Sequence, residues 1–398
     1  QFTMPDPSYL GEVVMIAGMD AGHGSTWGNG QINYGTTYYF NEAHGIYSHT
    51  YLYPETGSHS GDIVQHVSDG VGYINYTAHG SQTSWSDPSF TQSNINGLQN
   101  YGEYCLAVGN CCLTSTYDYG ECFAETWLRA EDKGAIGYIG GSNSTYWDED
   151  YWWGVGSGSV VSNPTYETHG LGAYDGLFHD HGEAMEQWYV VNASLMFAGN
   201  LAVMEAGSSL TTYYWNIYNL MGDPSIATYL GVPGENPVDH PTTIFTNWTN
   251  LTIDAAPNSY VGLTKNGELI GAGTVDGTGT LDLEIWAQPL EPGTAQLVVM
   301  AQNLEPYVAE IPVIVPATII IDPTVINANE ETLMTVAVFE SDGVTPRPGV
   351  EIWAEGLDYD AGHILTDETG YCSFTVNYPY GPTLDIVGQD PADPYELF

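Results

Sequence analysis

A histidine and a pair of adjacent cysteines are the residues of this chain best suited to do chemistry. His79 stands in Asn75-Tyr76-Thr77-Ala78-His79-Gly80-Ser81, and the cysteines in Gly109-Asn110-Cys111-Cys112-Leu113-Thr114. A thiol beside an imidazole makes a nucleophile with its acid/base partner, because cysteine attacks as the thiolate and the departing group must be protonated. Each motif follows an apolar run, residues 71–74 and 105–108, so each reads as the exit of a buried strand. In an open parallel sheet ligands bind at the carboxyl ends of the strands. Two neighbouring strands would therefore bring His79 beside the cysteines, although the chain between them is long enough for a complete crossover. Side chains of successive extended residues face opposite ways, so one cysteine faces His79 and the other is core.

The elements that must hold these residues are legible in the punctuation. From Glu12 to about Tyr229, apolar runs at 13–16, 71–76, 105–108 and 135–139 alternate with longer polar or helical stretches. That is the signature of an α/β domain, a mostly parallel sheet with flanking helices. One helix is expected over roughly 171–206. Around Gly231-Val232-Pro233-Gly234 the texture changes to short alternating runs, divided by turns such as Lys265-Asn266-Gly267 and Asp276-Gly277. This predicts an immunoglobulin-like β-sandwich over 231–316. The same grammar, with turns at Asp342-Gly343 and Glu368-Thr369-Gly370, predicts a second all-β sandwich over 317–398.

Composition narrows the partners. Asp and Glu number 49 against four basic residues, Arg129, Lys133, Lys265 and Arg347, for a net charge of −45. Neutralising phosphates takes Lys and Arg, so nucleic acid and anionic membranes are excluded as partners. No run of eighteen apolar residues exists, which excludes a helical membrane span. Four of the five cysteines fall between Cys105 and Cys122, on one expected strand and its loop, which is no disulfide framework. The chain opens on Gln1 without a charged-then-apolar leader, predicting a processed, secreted protein at the cell surface or outside the cell. Sequons at Asn143, Asn192, Asn247 and Asn250 are candidate glycan sites in that setting. The tract Asp148-Glu149-Asp150 offers hard oxygen ligands for a structural calcium ion. No cofactor is required by any motif.

The motifs together resemble the gingipain-type cysteine peptidases, relatives of caspases and clostripain. The likeness covers Asn75 to Trp85 around the histidine, Cys122-Phe123-Ala124-Glu125, the glycine-rich stretch 134–141 leading to Trp147, and Met221-Gly222-Asp223-Pro224-Ser225. The resemblance implies a caspase-like domain over 1–230, with His79 as acid/base and the backbone N–H groups of Gly80 and of the nucleophile as oxyanion hole. Cys112 suits the family's pattern in Cys112-Leu113-Thr114-Ser115-Thr116-Tyr117, and metacaspases likewise use the second cysteine of an acidic-Cys-Cys triplet; Cys111 is the alternative nucleophile. Asp20 stands where gingipains keep a carboxylate to orient the histidine. Eleven residues on, where the arginine-selective members have an aspartate, this chain has Gln31, and Trp147 matches an aromatic wall of the same pocket. A neutral amide cannot make a charge-assisted bidentate pair with arginine, so a neutral or aromatic side chain is expected before the cut. The resemblance also implies a preceding subdomain, removed by processing or kept as a separate chain.

Peptide or protein substrates follow from this reading. A second reading is structural: a surface protein that keeps the peptidase fold as a scaffold and assembles into homo-oligomers or filaments. Thirty tyrosines and few basic residues suit such an assembly.

Overall fold

The structure is a computed structural model, and it describes residues 6–287, 290–381, 383–391 and 393–397. Contacts divide the chain into two compact units, one reaching residue 235 together with 301–305, the other comprising 236–300 and 306–398.

The first unit is built on a six-stranded sheet. Its strands are β1 (Glu12–Ala17), β2 (Tyr47–Tyr51), β3 (Tyr73–Thr77), β7 (Cys105–Asn110), β8 (Ala135–Gly141) and β9 (Tyr218–Gly222). Between β3 and β7 the short strands β4 (Gly80–Ser81), β5 (Ser84–Trp85) and β6 (Phe90–Thr91) form a small sheet of their own. The main order is β2-β1-β3-β7-β8-β9, parallel except for the antiparallel β8–β9 pair. The four central strands, β1, β3, β7 and β8, are buried along most of their length because both faces are covered. Val13, Met15, Tyr73, Leu106, Val108 and Ile139 enter one core with α1 (Asn29–Tyr38), α5 (Trp147–Val155), α6 (Ala173–Phe178), α7 (Asn192–Glu205) and α8 (Thr211–Ile217). Val14, Ile16, Ile74, Tyr76, Ala107 and Tyr138 enter the other with α2 (Ser60–Ser68), α3 (Gln92–Gly97) and α4 (Phe123–Arg129).

The single helix expected over 171–206 is two. The chain leaves α6 at His179, whose φ of 45° is left-handed, and passes Gly182, also at positive φ, before α7 begins. The reason is local: a left-handed residue ends the i→i−4 ladder, and apolar content alone does not report it.

The second unit is all β. Strands β10 (Ile244–Phe245), β12 (Tyr260–Lys265), β13 (Glu268–Thr274), β15 (Gly293–Met300) and β16 (Tyr307–Ile314) form one sheet, and β11 (Asn250–Asp254) pairs with β14 (Thr280–Glu284). Inward residues of both, among them Leu251, Val261, Leu283, Leu297 and Ile311, share one core. The buried-exposed alternation along β11 is what a half-covered strand requires. Strands β17 (Thr318–Asp322), β18 (Thr332–Phe339) and β21 (Tyr371–Val376) form a second such sheet, with β19 (Glu351–Gly356), β20 (Tyr359–Leu365), β22 (Asp385–Asp390) and β23 (Asp393–Leu397) in its companion. Val336, Ile352, Ala354 and Phe374 join those two sheets in a separate core. Among the described residues no helix is long and apolar enough to cross a membrane.

Candidate active site

Parallel register aligns the ends of three neighbouring strands, Ala17 opposite Thr77 and Thr77 opposite Asn110. Asp20, His79 and Cys112 each follow within three residues of those ends. The sheet thus delivers a carboxylate, an imidazole and a thiol to one edge, the edge where ligands bind in this architecture.

His79 is set by its backbone. Its carbonyl accepts from the Tyr76 hydroxyl (2.8 Å) and from the Ser86 N–H (2.9 Å), which ties it to the small β4–β6 sheet, while its ring stays half exposed. The ring Nε2 meets Asp20 Oδ2 at 2.7 Å. Asp20 Oδ1 also accepts the N–H groups of Gly22 and His23, both at 2.8 Å, and lies 3.1 Å from His23 Nδ1. Partial burial pushes this carboxyl up, but the hydrogen bonds from His79, His23 and Gly22 outweigh it and hold Asp20 at about 2. Ionised aspartate only accepts, so the His79 nitrogen facing it carries hydrogen, and Nδ1 is left to exchange a proton elsewhere.

The two cysteines part as the alternation rule requires. Cys111 is fully buried among Tyr76, Trp85 and Tyr138, and burial pushes its thiol well above the ordinary range. Cys112 is half-buried, and its Sγ accepts the Thr145 N–H at 3.2 Å. The loop that carries it hangs on the exit of β8: Leu113 N–H donates to the Asn143 carbonyl and Ser115 N–H to that of Gly141. Leu113 in this loop is left-handed, at φ 67°. Gly80 is crowded from the same side; a Cβ there would stand 2.7 Å from both the Cys111 Sγ and the Cys112 carbonyl oxygen.

Trp147 opens α5 and packs edge-on against His79, with ring centroids 5.6 Å apart. Gln31 lies elsewhere than expected. It is fully buried on α1, its amide nitrogen 2.8 Å from Asn110 Oδ1 and 3.2 Å from the Tyr174 hydroxyl, and it offers no surface to a substrate. The tract expected to offer ligands for calcium has its carboxyls engaged separately. Asp148 accepts from Trp27 Nε1, Glu149 from Ser208, and Asp150 from Thr145, Tyr214 and Tyr218, so the three carboxyls point to three different partners. No group of three or more metal-ligating side chains occurs among the described residues. Asp150 is fully buried, which raises its carboxyl to about 7 against the pull of those hydroxyls. The glycan sites divide as well: Asn143, Asn247 and Asn250 are exposed, whereas Asn192 is buried with its Oδ1 accepting from Thr228, so no glycan fits there.

Sequence reasoning missed His23, Thr145 and Asn110. The Asp20-x-x-His23 spacing could have found the first, since a carboxylate that caps a helix start also reaches the side chain three residues on. The other two carry no local signal, because their partners come from distant segments.

The profile of Peptidase family C25 matches residues 6–229. The chain belongs to this family. Lys-gingipain of Porphyromonas gingivalis is 40% identical over 302 residues, 73% of this chain and 17% of that protein. Gingipain R1 of the same organism is 22% identical over 226 residues, 56% of this chain and 21% of that protein. The chain thus spans a small part of the relatives it matches. Among solved structures, one described as "Structure of Protease" superimposes with a TM-score of 0.71 at 38% identity, covering 78% of this chain and 68% of that one. The Arg specific cysteine proteinase gingipain R superimposes with a TM-score of 0.63 at 18% identity, covering 77% and 68%, which establishes the caspase-like fold. C25 membership makes the first unit a cysteine-peptidase domain of gingipain type.

Proposed function

We propose that the chain is a secreted cysteine endopeptidase in which Cys112 attacks, His79 moves the proton and Asp20 orients His79. The observation that carries this reading is the alignment of three strand ends with His79 Nε2 at 2.7 Å from Asp20 Oδ2 and the half-buried Cys112 as the outward-facing thiol. His79 takes the Cys112 proton, and the thiolate adds to the scissile carbonyl. The C–N bond then breaks as His79 protonates the departing amine, leaving a thioester. Water, deprotonated by His79, releases the acid and restores the thiol. The N–H groups of Gly80 and Cys112 are the donors for the tetrahedral oxyanion. The two β-sheet pairs of the second unit fit immunoglobulin-like modules over 231–316 and 317–398.

For the residue before the cut, the likeness to proteins named Lys-gingipain favours lysine over the neutral side chain expected from Gln31. The carboxylate proposed to read it is Asp150, which is buried, so a lysine ammonium must take the place of the Thr145 hydroxyl to reach it. Its Oδ2 accepts from the Thr145 hydroxyl at 2.7 Å, and the N–H of the same threonine donates to the Cys112 sulfur. Profiling with a peptide library tests both parts of the reading. Cleavage after lysine, lost on Cys112→Ala, is expected; cleavage after neutral residues would return the pocket to Trp147 alone, and no cleavage would reject the peptidase.

A further inference from the structure

Four side chains at this edge of the sheet close into a ring. Asp20 meets His79 through Oδ2 and His23 through Oδ1. His79 sets its ring edge-on to Trp147, and the His23 ring lies flat on the same indole, centroids 4.9 Å apart and planes 6° from parallel. Trp147 therefore touches two imidazoles that share one carboxylate. We propose that His23 is a positioning residue that locks the Asp20–His79 pair and the aromatic wall at Trp147 into one unit, a role that rests on the Cys112/His79 reading above.

Each contact has its own physical task. An ionised carboxylate only accepts, so the ring nitrogen of His23 that faces Asp20 carries hydrogen. With the N–H groups of Gly22 and His23 and this ring N–H all on Oδ1, the carboxylate cannot turn, and Oδ2 stays aimed at His79. His23 also packs edge-on against Trp27, centroids 4.8 Å apart, whose Nε1 donates to Asp148 at 2.6 Å. That brace fixes the plane on which Trp147 rests. A substrate side chain that displaced Trp147 would move His23, and through it the carboxylate that orients the proton carrier. Stacked aromatic pairs stabilise beyond the area they bury, and small misplacements of reacting groups are costly in rate.

The two contacts can be broken separately. His23→Phe keeps a flat ring on Trp147 and removes the hydrogen bond; His23→Asn keeps an amide donor toward Asp20 and removes the stack. We expect His23→Phe to lower kcat roughly 10- to 100-fold with a small change in KM, in the range that misorientation costs. His23→Asn should instead act mainly on KM, raising it roughly tenfold, as lost stacking implies. The assay is hydrolysis of a fluorogenic lysyl peptide by the full chain, with thermal unfolding as the folding control. His23→Tyr, which keeps a flat ring without the imidazole N–H, and His23→Gln repeat the two arms should either variant fail to fold. Wild-type constants in both arms, or equal changes in kcat and KM in both, would overturn the role of His23. Labelling of Cys112 by a peptidyl ketone separates the failures: a labelled wild type with silent variants removes His23 alone, whereas an unlabelled wild type removes the peptidase reading with it.

Discussion

At the scale of single residues, burial separates groups that look alike in sequence. Cys112→Ala should abolish hydrolysis by at least ~10³-fold, as loss of a nucleophile does. Cys111→Ala should leave hydrolysis measurable and lower stability by about 1–2 kcal/mol, the cost of emptying a packed site, read as a shift in urea midpoint. A second prediction uses the raised carboxyl of Asp150. Burial holds it near 7, so it is neutral in acid and becomes an anion as pH climbs through that value. The ratio of kcat/KM for a lysyl peptide to that for its norleucyl analogue should therefore rise with pH about tenfold or more, the worth of a charged hydrogen bond. In Asp150→Asn the ratio should be flat. His79, Asp20 and the cysteine pair were legible because each sits in a short motif at a strand exit. Gln31 was misplaced because counting residues from Asp20 cannot tell which face of α1 a side chain occupies; here that face is turned into the core toward Asn110 and Tyr174.

At the scale of elements, the parallel sheet does the positioning, and its four central strands β1, β3, β7 and β8 were readable because burial on both faces makes them mostly apolar, whereas the edge strands β2 and β9 are more polar and were not. The break between α6 and α7 was not readable, since it depends on the left-handed conformation of His179 rather than on a Gly or Pro at that residue. Close packing between the exits of β3 and β7 yields a third prediction. Gly80→Ala would set a methyl 2.7 Å from the Cys111 sulfur and from the Cys112 carbonyl oxygen, so the two loops must separate. The expected outcome is a fall in kcat of roughly 10²-fold, the scale of one lost oxyanion donor, with the fold retained by circular dichroism. Unchanged kcat would remove Gly80 from the oxyanion hole.

At the scale of the whole molecule, the extreme charge reflects a shortage of lysine and arginine rather than an excess of acid, and the sequence alone shows it. Copies repel one another through a field that salt screens over about 10 Å at 0.1 M. Among the described residues of 317–398, Val325, Val344, Leu357 and Leu333 are exposed apolar side chains and β20 lies at the edge of its sheet. Assembly through this part of the chain is the form in which the structural reading survives beside the peptidase. Deleting 317–398 should then abolish oligomers in light scattering at physiological salt and leave hydrolysis intact; a monomeric full chain at both low and physiological salt would reject it. The most direct test of the central claim is mass spectrometry of the full chain after treatment with a lysyl peptide ketone. One adduct is expected, on Cys112, absent from His79→Ala within the same reaction time. An adduct on Cys111, or none on either cysteine, would contradict the account.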